Sequence, residues 1–413
     1  MKTTVPQIAV VQLGARNHYL TAAALEEHGM LQGLYTDAYV RENSWKANIA
    51  RLVATRYPGR LQAMAGRRGR ISDDKVRDSW LITLIALGAR SLRRYQVAPA
   101  QWDARLSRRL TRFAARHGAG EAAAVFGYSS ACPELFSWAR GRGVFTILEQ
   151  ASATVAVSTE IMREEYLRWP GWQLGALPDM TLYAQRETDE LALTDKILAP
   201  SQFVRQSLIC AGVAAEKIEV LPYGFDLDVS PPVRTKRHKD DPLRVLFLGN
   251  VGLQKGIQYF LEAARSLGNR HYSFRVVGSL GVNPEMLSRY QDVVEFSGAV
   301  PRNDVARHYV WADVFVMPTL CDGFGMVQLE AAAHGLPIIA TPNCADVVRE
   351  GIEGYVVPVA NAEAIADKLK LLRENPDLVL SFGRAAQSRV NDFSRIHYGR
   401  KLVSSLKKSV CNG

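Results

Sequence analysis

The sequence predicts an α/β protein of two domains, each built on a parallel sheet with helices on both faces. Three observations carry that expectation. Short, wholly apolar runs alternate with helical patterns, and strands that are apolar on both faces belong to parallel sheets covered on both sides. The length of 413 residues exceeds what one hydrophobic core supports. A stretch of prolines and charges without periodicity, "DVSPPVRTKRHKDDP" (228–242), reads as a linker.

Taken in order, "IAVVQL" (8–13) is a buried strand ending at Gly14, followed by a loop and the helix "HYLTAAALEEHG". Residues 41–118 read as helices and basic loops without strands. "AAAVFG" (122–127), "VFTILE" (144–149) and "KILAPS" (196–201) are further buried strands. The last leads into the helix "QFVRQSLICAG", with Gly212 as its stop, and then "IEVLPYG". Beyond the linker the runs "RVLFLG", "SFRVVG", "VVEFSG", "VFVMPT", "PIIAT" and "GYVVP" are each expected to precede a helix, ending with "NAEAIADKLKLLREN". In such sheets ligands sit at the carboxyl ends of the strands, so a cleft between two domains is the expected site.

The charge is uneven. Of the formal net +10, the segment 41–116 alone contributes +13, from 18 Lys and Arg against 5 Asp and Glu, and the remainder is −3. Apolar residues interleave with the arginines in "LITLIALGARSLRRY" and "WDARLSRRLTRFAARHG", as in amphipathic helices on anionic lipid. A solvated helical face explains the same pattern. No nucleic-acid reader motif accompanies it, so nucleic acid is not expected as a partner. The five cysteines are scattered, odd in number and lack CxxC spacing, which points to a reducing, cytoplasmic compartment. The N-terminus lacks a signal-peptide pattern, and "WLITLIALGA" is too short to span a bilayer.

The stretch "PTLCDGFGMVQLEAAAHGLP" (318–337) joins a strand to an Ala-rich helix through a glycine-rich turn. The first-turn amides of Gly325, Met326 and Val327 offer an anion a set of donors reinforced by the helix dipole. Gly323 and Gly325, without Cβ atoms, would let a ligand approach the backbone. Asp322 faces the same crevice. Glu330 can lean back toward the helix mouth, where a carboxylate accepts hydrogen bonds from a vicinal diol such as a ribose. By itself the pattern also suits a plain strand-turn-helix junction, with Asp322 a turn former and Glu330 a salt-bridged helix residue. Upstream, "FLGNVGLQKG" (247–256) ends in Lys255 at a helix start. It lacks the Gly-Lys-Ser/Thr order of a Walker loop, yet its lysine could meet a diphosphate. The tripeptide Asp226-Leu227-Asp228 reads as hinge capping rather than a metal site, and no His/Cys cluster suggests zinc.

These motifs, in the order "LAPSQFVRQSLICAGVAAEKIEVLPYGFD", "GNVGLQKGIQYFLEAA" and "VEFSGAVPRNDVARHYVWADVFVMPTLCDGFGMVQLEAAAHGLP", resemble glycosyltransferase family 4 from about Lys196 to Ala366. The resemblance implies the GT-B fold, two Rossmann-like domains facing across a cleft, and transfer with retention of configuration. It implies an acceptor-binding domain over 1–227, a nucleotide-sugar-binding domain over 243–393, and a final helix near 394–413 that packs back on the first domain. Asp322 and Glu330 match the family's E-x7-E pair, the first acid near the donor sugar and the second on the ribose, with Asp322 one methylene shorter than the usual Glu. Lys255 matches the diphosphate lysine. The arginine that accompanies it falls at Asn250, so a second cation must come from elsewhere.

Gly14 matches the family's N-terminal glycine loop, where the second glycine is Ala15. The N-domain histidine near the donor sugar has its nearest counterpart at Glu149 or Gln150, with His18 as an alternative. The expected catalytic set is therefore Asp322, Lys255 and Glu149. Gly14, Asn250, Lys255, Gly323, Phe324, Gly325, Met326, Val327 and Glu330 are expected around the donor. A nucleoside diphosphate sugar is expected as co-substrate, without a metal or other cofactor. The acceptor is expected to be a glycan or lipid-linked molecule at the cytoplasmic face of a membrane. A GT-B protein that binds a nucleotide sugar as sensor or scaffold is the alternative, and a sugar-nucleotide epimerase or glycan phosphorylase is a rival of the same fold.

Overall fold

The computed structural model describes residues 5–41, 67–91, 99–226, 234–235, 237–238 and 240–412. Among them two parallel sheets form. The first comprises β1 (Ile8–Gln12), β2 (Leu31–Thr36), β3 (Val76–Asp78), β4 (Ala124–Tyr128), β5 (Phe145–Glu149), β6 (Lys196–Ala199) and β7 (Ile218–Val220), in the order β3-β2-β1-β4-β5-β6-β7. The second comprises β8 (Leu243–Leu248), β9 (Tyr272–Val277), β10 (Val294–Gly298), β11 (Val314–Met317), β12 (Ile338–Ala340) and β13 (Gly354–Val356), in the order β10-β9-β8-β11-β12-β13. In both, the strand order reverses beside the first strand, which opens a crevice at the carboxyl edge there.

Most strands fall where apolar runs predicted them, and three details differ. β2 and the edge strand β3 lie outside the expected set. β2 ("LQGLYT") is broken by Gln32 and Gly33, and β3 is three residues of "VRD" that pair only with β2. The helix after β1 begins at Leu20, because Asn17, His18 and Tyr19 all adopt positive φ. β12 and β13 are joined without an intervening helix.

Side chains alternate across the first sheet. Ile8, Val10, Phe126 and Ile147 pack under the Leu20–Glu27 helix, while Ala9, Val11, Val125 and Leu148 face the opposite helical layer. The final helix, Arg395–Asn412, returns to the first sheet. Its Tyr398, Leu402, Val403 and Leu406 are buried with Leu20, Ala24 and Leu25. Burial of a leucine side chain stabilises by roughly 1.5–3 kcal/mol, so Leu402 and Leu406 contribute a substantial part of what holds this helix down.

A second crossing is absent from the sequence reading. The Val155–Arg168 helix and the turn after it lie between β5 and β6, yet Ile161, Met162, Trp169 and Trp172 pack on the core of the second sheet. Its Glu165 is buried and accepts hydrogen bonds from Gln258 Nε2 (2.9 Å), the Tyr259 hydroxyl (2.9 Å) and Arg168 Nη1 (3.1 Å). Backbone bonding extends the contact, with Asn283 N donating to Trp172 O at 2.7 Å.

Of the expected linker, Arg234 is described and anchored. It donates to the carbonyls of His334 (2.7 Å), Tyr309 (2.6 Å) and Ala312, all at helix C-termini whose carbonyls lack intrahelical partners. Leu227 and Asp228 of the D-x-D tripeptide lie outside the described residues. Asp226 pairs with Arg70 (3.5 Å) and Arg395 (3.6 Å). Arg234→Ala is expected to lower unfolding stability by about 2 kcal/mol, read as a lower urea midpoint with unchanged slope, because three carbonyls lose their donor.

Candidate active site

The carboxyl edges of the two sheets meet at two loops. The turn after β11 carries Asp322, Gly323 and Phe324, and the segment after β5 carries Gln150 and Ala151. A Cβ on Gly323 would lie 1.8 Å from the Ala151 carbonyl oxygen. The close approach that requires glycine there is made by the opposing domain's backbone. Gly325 has φ +80° at the N-cap of the Met326–Ala333 helix, and a Cβ there would meet the Met317 methyl at 2.3 Å. Phe324 departs from expectation. Its ring is 3% exposed and packs against Tyr223 (5.1 Å) and Phe393 (6.2 Å), leaving only its backbone for a ligand.

The structure brings the two expected charges together. Lys255, closing the 3-10 turn Leu253–Lys255 after β8, pairs its ammonium with Asp322 Oδ2, and both side chains are part-exposed. Asp322 Oδ1 also accepts from Phe324 N at 3.4 Å. Asn250, on the same β8 loop, is exposed, and its carbonyl accepts from Gly252 N (3.0 Å). Met326 and Glu330 line a cavity of about 840 Å³ whose other walls come from Asn17 and His18, from Phe225 at the hinge, and from Arg302 and Tyr309. Val327 is half-buried, and its carbonyl faces the Tyr309 hydroxyl at 3.5 Å. The same hydroxyl donates to Glu330 Oε2 at 2.9 Å. Thus Glu330 faces the large cavity, while the Lys255–Asp322 pair lies outside its lining.

The first domain supplies the facing wall. Gly14 N donates to Asp37 Oδ1 (2.8 Å), and Asp37 is further held by Arg67 (2.7 Å) and Thr83 (3.1 Å), which fixes the loop after β1. His18 Nε2 lies 3.3 Å from Arg302 Nη1 across the cleft. Arg16 is exposed with its guanidinium 5.6 Å from the Tyr128 ring centroid. Glu149 lies just below this surface, 6% exposed. It accepts from Thr21 Oγ1 at 3.4 Å and from the Tyr223 hydroxyl, and Thr21 also bonds the Tyr398 hydroxyl (2.9 Å). Burial pushes its carboxyl up to about 7, opposed by Tyr223, Arg16 and Thr21. Gln150 is also buried, donating to Glu187 Oε1 at 3.0 Å.

Tyr309, Tyr223 and Arg302 were not anticipated from the sequence. Nothing in "PRNDVARHYVWADVF" distinguishes Tyr309 from an ordinary core aromatic until the fold lays its helix beside Glu330. No group of three or more His, Cys, Asp or Glu side chains able to hold a metal occurs among the described residues.

Two parallel-sheet Rossmann-like domains with their carboxyl edges opposed define the GT-B fold. Over residues 242–375, about a third of the chain, the sequence matches the family model Glycosyl transferases group 1, so the second domain carries that family's sequence pattern. The D-inositol 3-phosphate glycosyltransferase of Pseudarthrobacter chlorophenolicus is 32% identical over 200 residues, 44% of this chain and 48% of that protein. The capsular polysaccharide biosynthesis glycosyltransferase CapM of Staphylococcus aureus is 29% identical over 237 residues, 52% of this chain and 61% of its own. The chain thus spans about half the length of the curated relatives it matches. Among solved structures, Anabaena Alr3699/HepE in complex with UDP shares the fold at a TM-score of 0.62 and 14% identity, covering 97% of this chain and all of that one.

The position of Glu149 has a consequence for stability. Burial raises its proton affinity in the folded state above the ordinary carboxyl value of 4.5. The folded protein therefore binds more protons than the unfolded chain between about pH 4.5 and 7. Its contribution is fully present below that window and is lost as pH rises through it. Buried Glu190, also pushed up to about 7, acts in the same direction. Thermal melts from pH 5 to 8 should show falling stability, and Glu149→Gln should flatten the fall by up to about 3 kcal/mol while Glu190 retains the remainder.

Proposed function

We propose that the chain is a retaining glycosyltransferase that moves a sugar from a nucleoside diphosphate sugar to a glycan or lipid-linked acceptor in polysaccharide or glycolipid assembly. The observation that carries this reading is the placement of Glu330. It lines an 840 Å³ cavity between the domains from within the Met326–Ala333 helix, and the loop leading into that helix carries Asp322, paired with Lys255. The relatives named above are glycosyltransferases of inositol phosphate and capsule synthesis, and the Anabaena structure holds UDP.

In this reading the ribose diol bonds Glu330, and the diphosphate lies over the first-turn amides of the Met326 helix. Lys255 exchanges its contact with Asp322 for the phosphates, which releases Asp322 to the hydroxyls of the donor sugar. Glycosyl transfer develops oxocarbenium character at the anomeric carbon and negative charge on the departing diphosphate. Fixed amide dipoles and the ammonium stabilise that charge without reorganising. In keeping with the resemblance, the acceptor hydroxyl attacks from the face the diphosphate leaves, and its proton passes to a phosphate oxygen. Glu149, buried behind the facing wall, is assigned to shaping the first-domain side of the site. Arg302, which lines the cavity, and the exposed Arg16 of the loop after β1 are candidates for the second cation that Asn250 does not supply.

The described part of the basic segment supports a membrane contact; residues 42–66 and 92–98 lie outside the described residues. The Pro99–Arg116 helix exposes Arg105, Arg108, Arg109, Arg112 and Arg116, and the preceding helix exposes Leu81 and Leu84 by 63% and 62%. A row of cations beside exposed leucines suits the anionic cytoplasmic face of a membrane. No helix among the described residues is long and apolar enough to cross one.

Incubation with a panel of nucleotide sugars, with and without lipid-linked acceptors, should reveal one that is consumed. Lys255→Ala should then lower kcat by about 10²- to 10³-fold, the loss typical of removing one transition-state charge partner. Binding of a nucleotide sugar with no turnover under any condition would favour the sensor or scaffold alternative. In liposome flotation, recovery should rise with anionic lipid and fall at high salt; equal recovery in all conditions excludes the charge-driven contact.

A further inference from the structure

Glu330 is a half-buried helix residue that, left to itself, would sample several rotamers, and ordering it on binding would cost entropy. The structure removes that freedom through one neighbour. Tyr309 is fully buried, and every part of it is held. Its ring stacks on His334 (4.9 Å between centroids, 25° between planes) and meets Phe315 edge-on at 6.0 Å. Its backbone carbonyl is taken by Arg234 at 2.6 Å. His334 is tied through Nδ1 to the Glu330 carbonyl at 2.7 Å, so the stacking partner belongs to the same helix turn as the carboxylate. What remains free to act is the hydroxyl, which donates to Glu330 Oε2 at 2.9 Å. Burial and the adjacent carboxylate both raise the phenol's proton affinity, which keeps it a donor.

We propose that Tyr309 is a positioning residue that locks Glu330 through Oε2, leaving Oε1 aimed into the interdomain cavity to receive the ribose diol of the nucleotide. The inference rests on the reading of Glu330 as the diol acceptor and adds what makes that acceptor rigid. A charged acceptor tied by one fixed hydrogen bond keeps one oxygen for the ligand, whereas an untied carboxylate divides its time among rotamers. The contribution is therefore to diol recognition specifically, and not to phosphate or base binding.

The test is calorimetry with UDP, GDP and ADP, and with the 2′,3′-dideoxy form of whichever binds tightest. In the wild-type protein the dideoxy compound should bind about tenfold or more weakly. Glu330→Ala should bring that ratio close to one. Tyr309→Phe, which keeps the ring and deletes only the hydroxyl, should lower the ratio by about fivefold with the dideoxy Kd unchanged. A merely structural role would weaken both compounds together and leave the ratio intact. A wild-type ratio in Tyr309→Phe, with Glu330→Ala collapsed, overturns the proposal and leaves the reading of Glu330 standing. A wild-type ratio in Glu330→Ala removes the reading itself. Should Tyr309→Phe not fold, His334→Ala, which frees the ring but keeps the hydroxyl, must lower the ratio, and an unchanged ratio there overturns the proposal equally.

Discussion

The architecture depends on a carboxylate taken from one half of the chain and buried in the other. Glu165 belongs by sequence to the first sheet's domain, yet it is 3% exposed against Gln258 and Tyr259 of the second. A charge buried with its hydrogen bonds satisfied is tolerated; the same charge with one partner removed is costly. Separating the Val155–Arg168 helix from the second domain would strip those partners and expose Trp169 and Trp172 together. None of these residues belongs to the lining of the interdomain cavity. The Arg395–Asn412 helix makes the converse crossing. Each domain thus holds a helix contributed by the other's stretch of sequence.

With the domains held this way, the loops at the carboxyl edges approach to backbone contact. Ala151 against Gly323 leaves no room for a side chain, so the turn carrying Asp322 is read against a fixed opposing surface. The charges around it are managed in pairs and chains. Lys255 meets Asp322, Arg302 meets His18, and Glu149 is wrapped by Thr21 and Tyr223. Tyr223 touches both Glu149 and, by ring contact, Phe324. Through it the polar cluster under the first domain's loops is continuous with the apolar hinge packing of Phe324 and Phe393.

Much of the frame was legible before any coordinates. Short, largely apolar runs such as "VFVMPT" and "RVLFLG", bounded by turn residues, suit strands covered by helices on both faces, so their position and type follow from local pattern. β2, broken by Gln32 and Gly33, and β3, three residues long, lack that signature because their pairing is set by neighbours. Of the site, Lys255, Asp322 and Glu330 stood out through their order along the chain and its likeness to the family pattern, since each alone also suits a plain strand-turn-helix junction. Phe324 and Gly323 stood out for the same turn, but the packing of the Phe324 ring on the hinge and of Gly323 on Ala151 was not legible there. Tyr309 and Tyr223 resemble core aromatics in sequence, and only their hydrogen bonds distinguish them.

What the sequence by itself determined is the local layer: which segments are strands, where the helix after β11 starts, and that an acid would lie within reach of its mouth. These follow from periodicity and backbone chemistry, which act over a few residues. What only the tertiary structure decided is which groups meet. The Val155–Arg168 helix sides with the second sheet, the Ala151 carbonyl lies against Gly323, and Tyr309 fixes Glu330 from 21 positions away. Such contacts are chosen by shape and by the cost of leaving buried polar groups unpaired, and neither quantity is a property of any short stretch of chain.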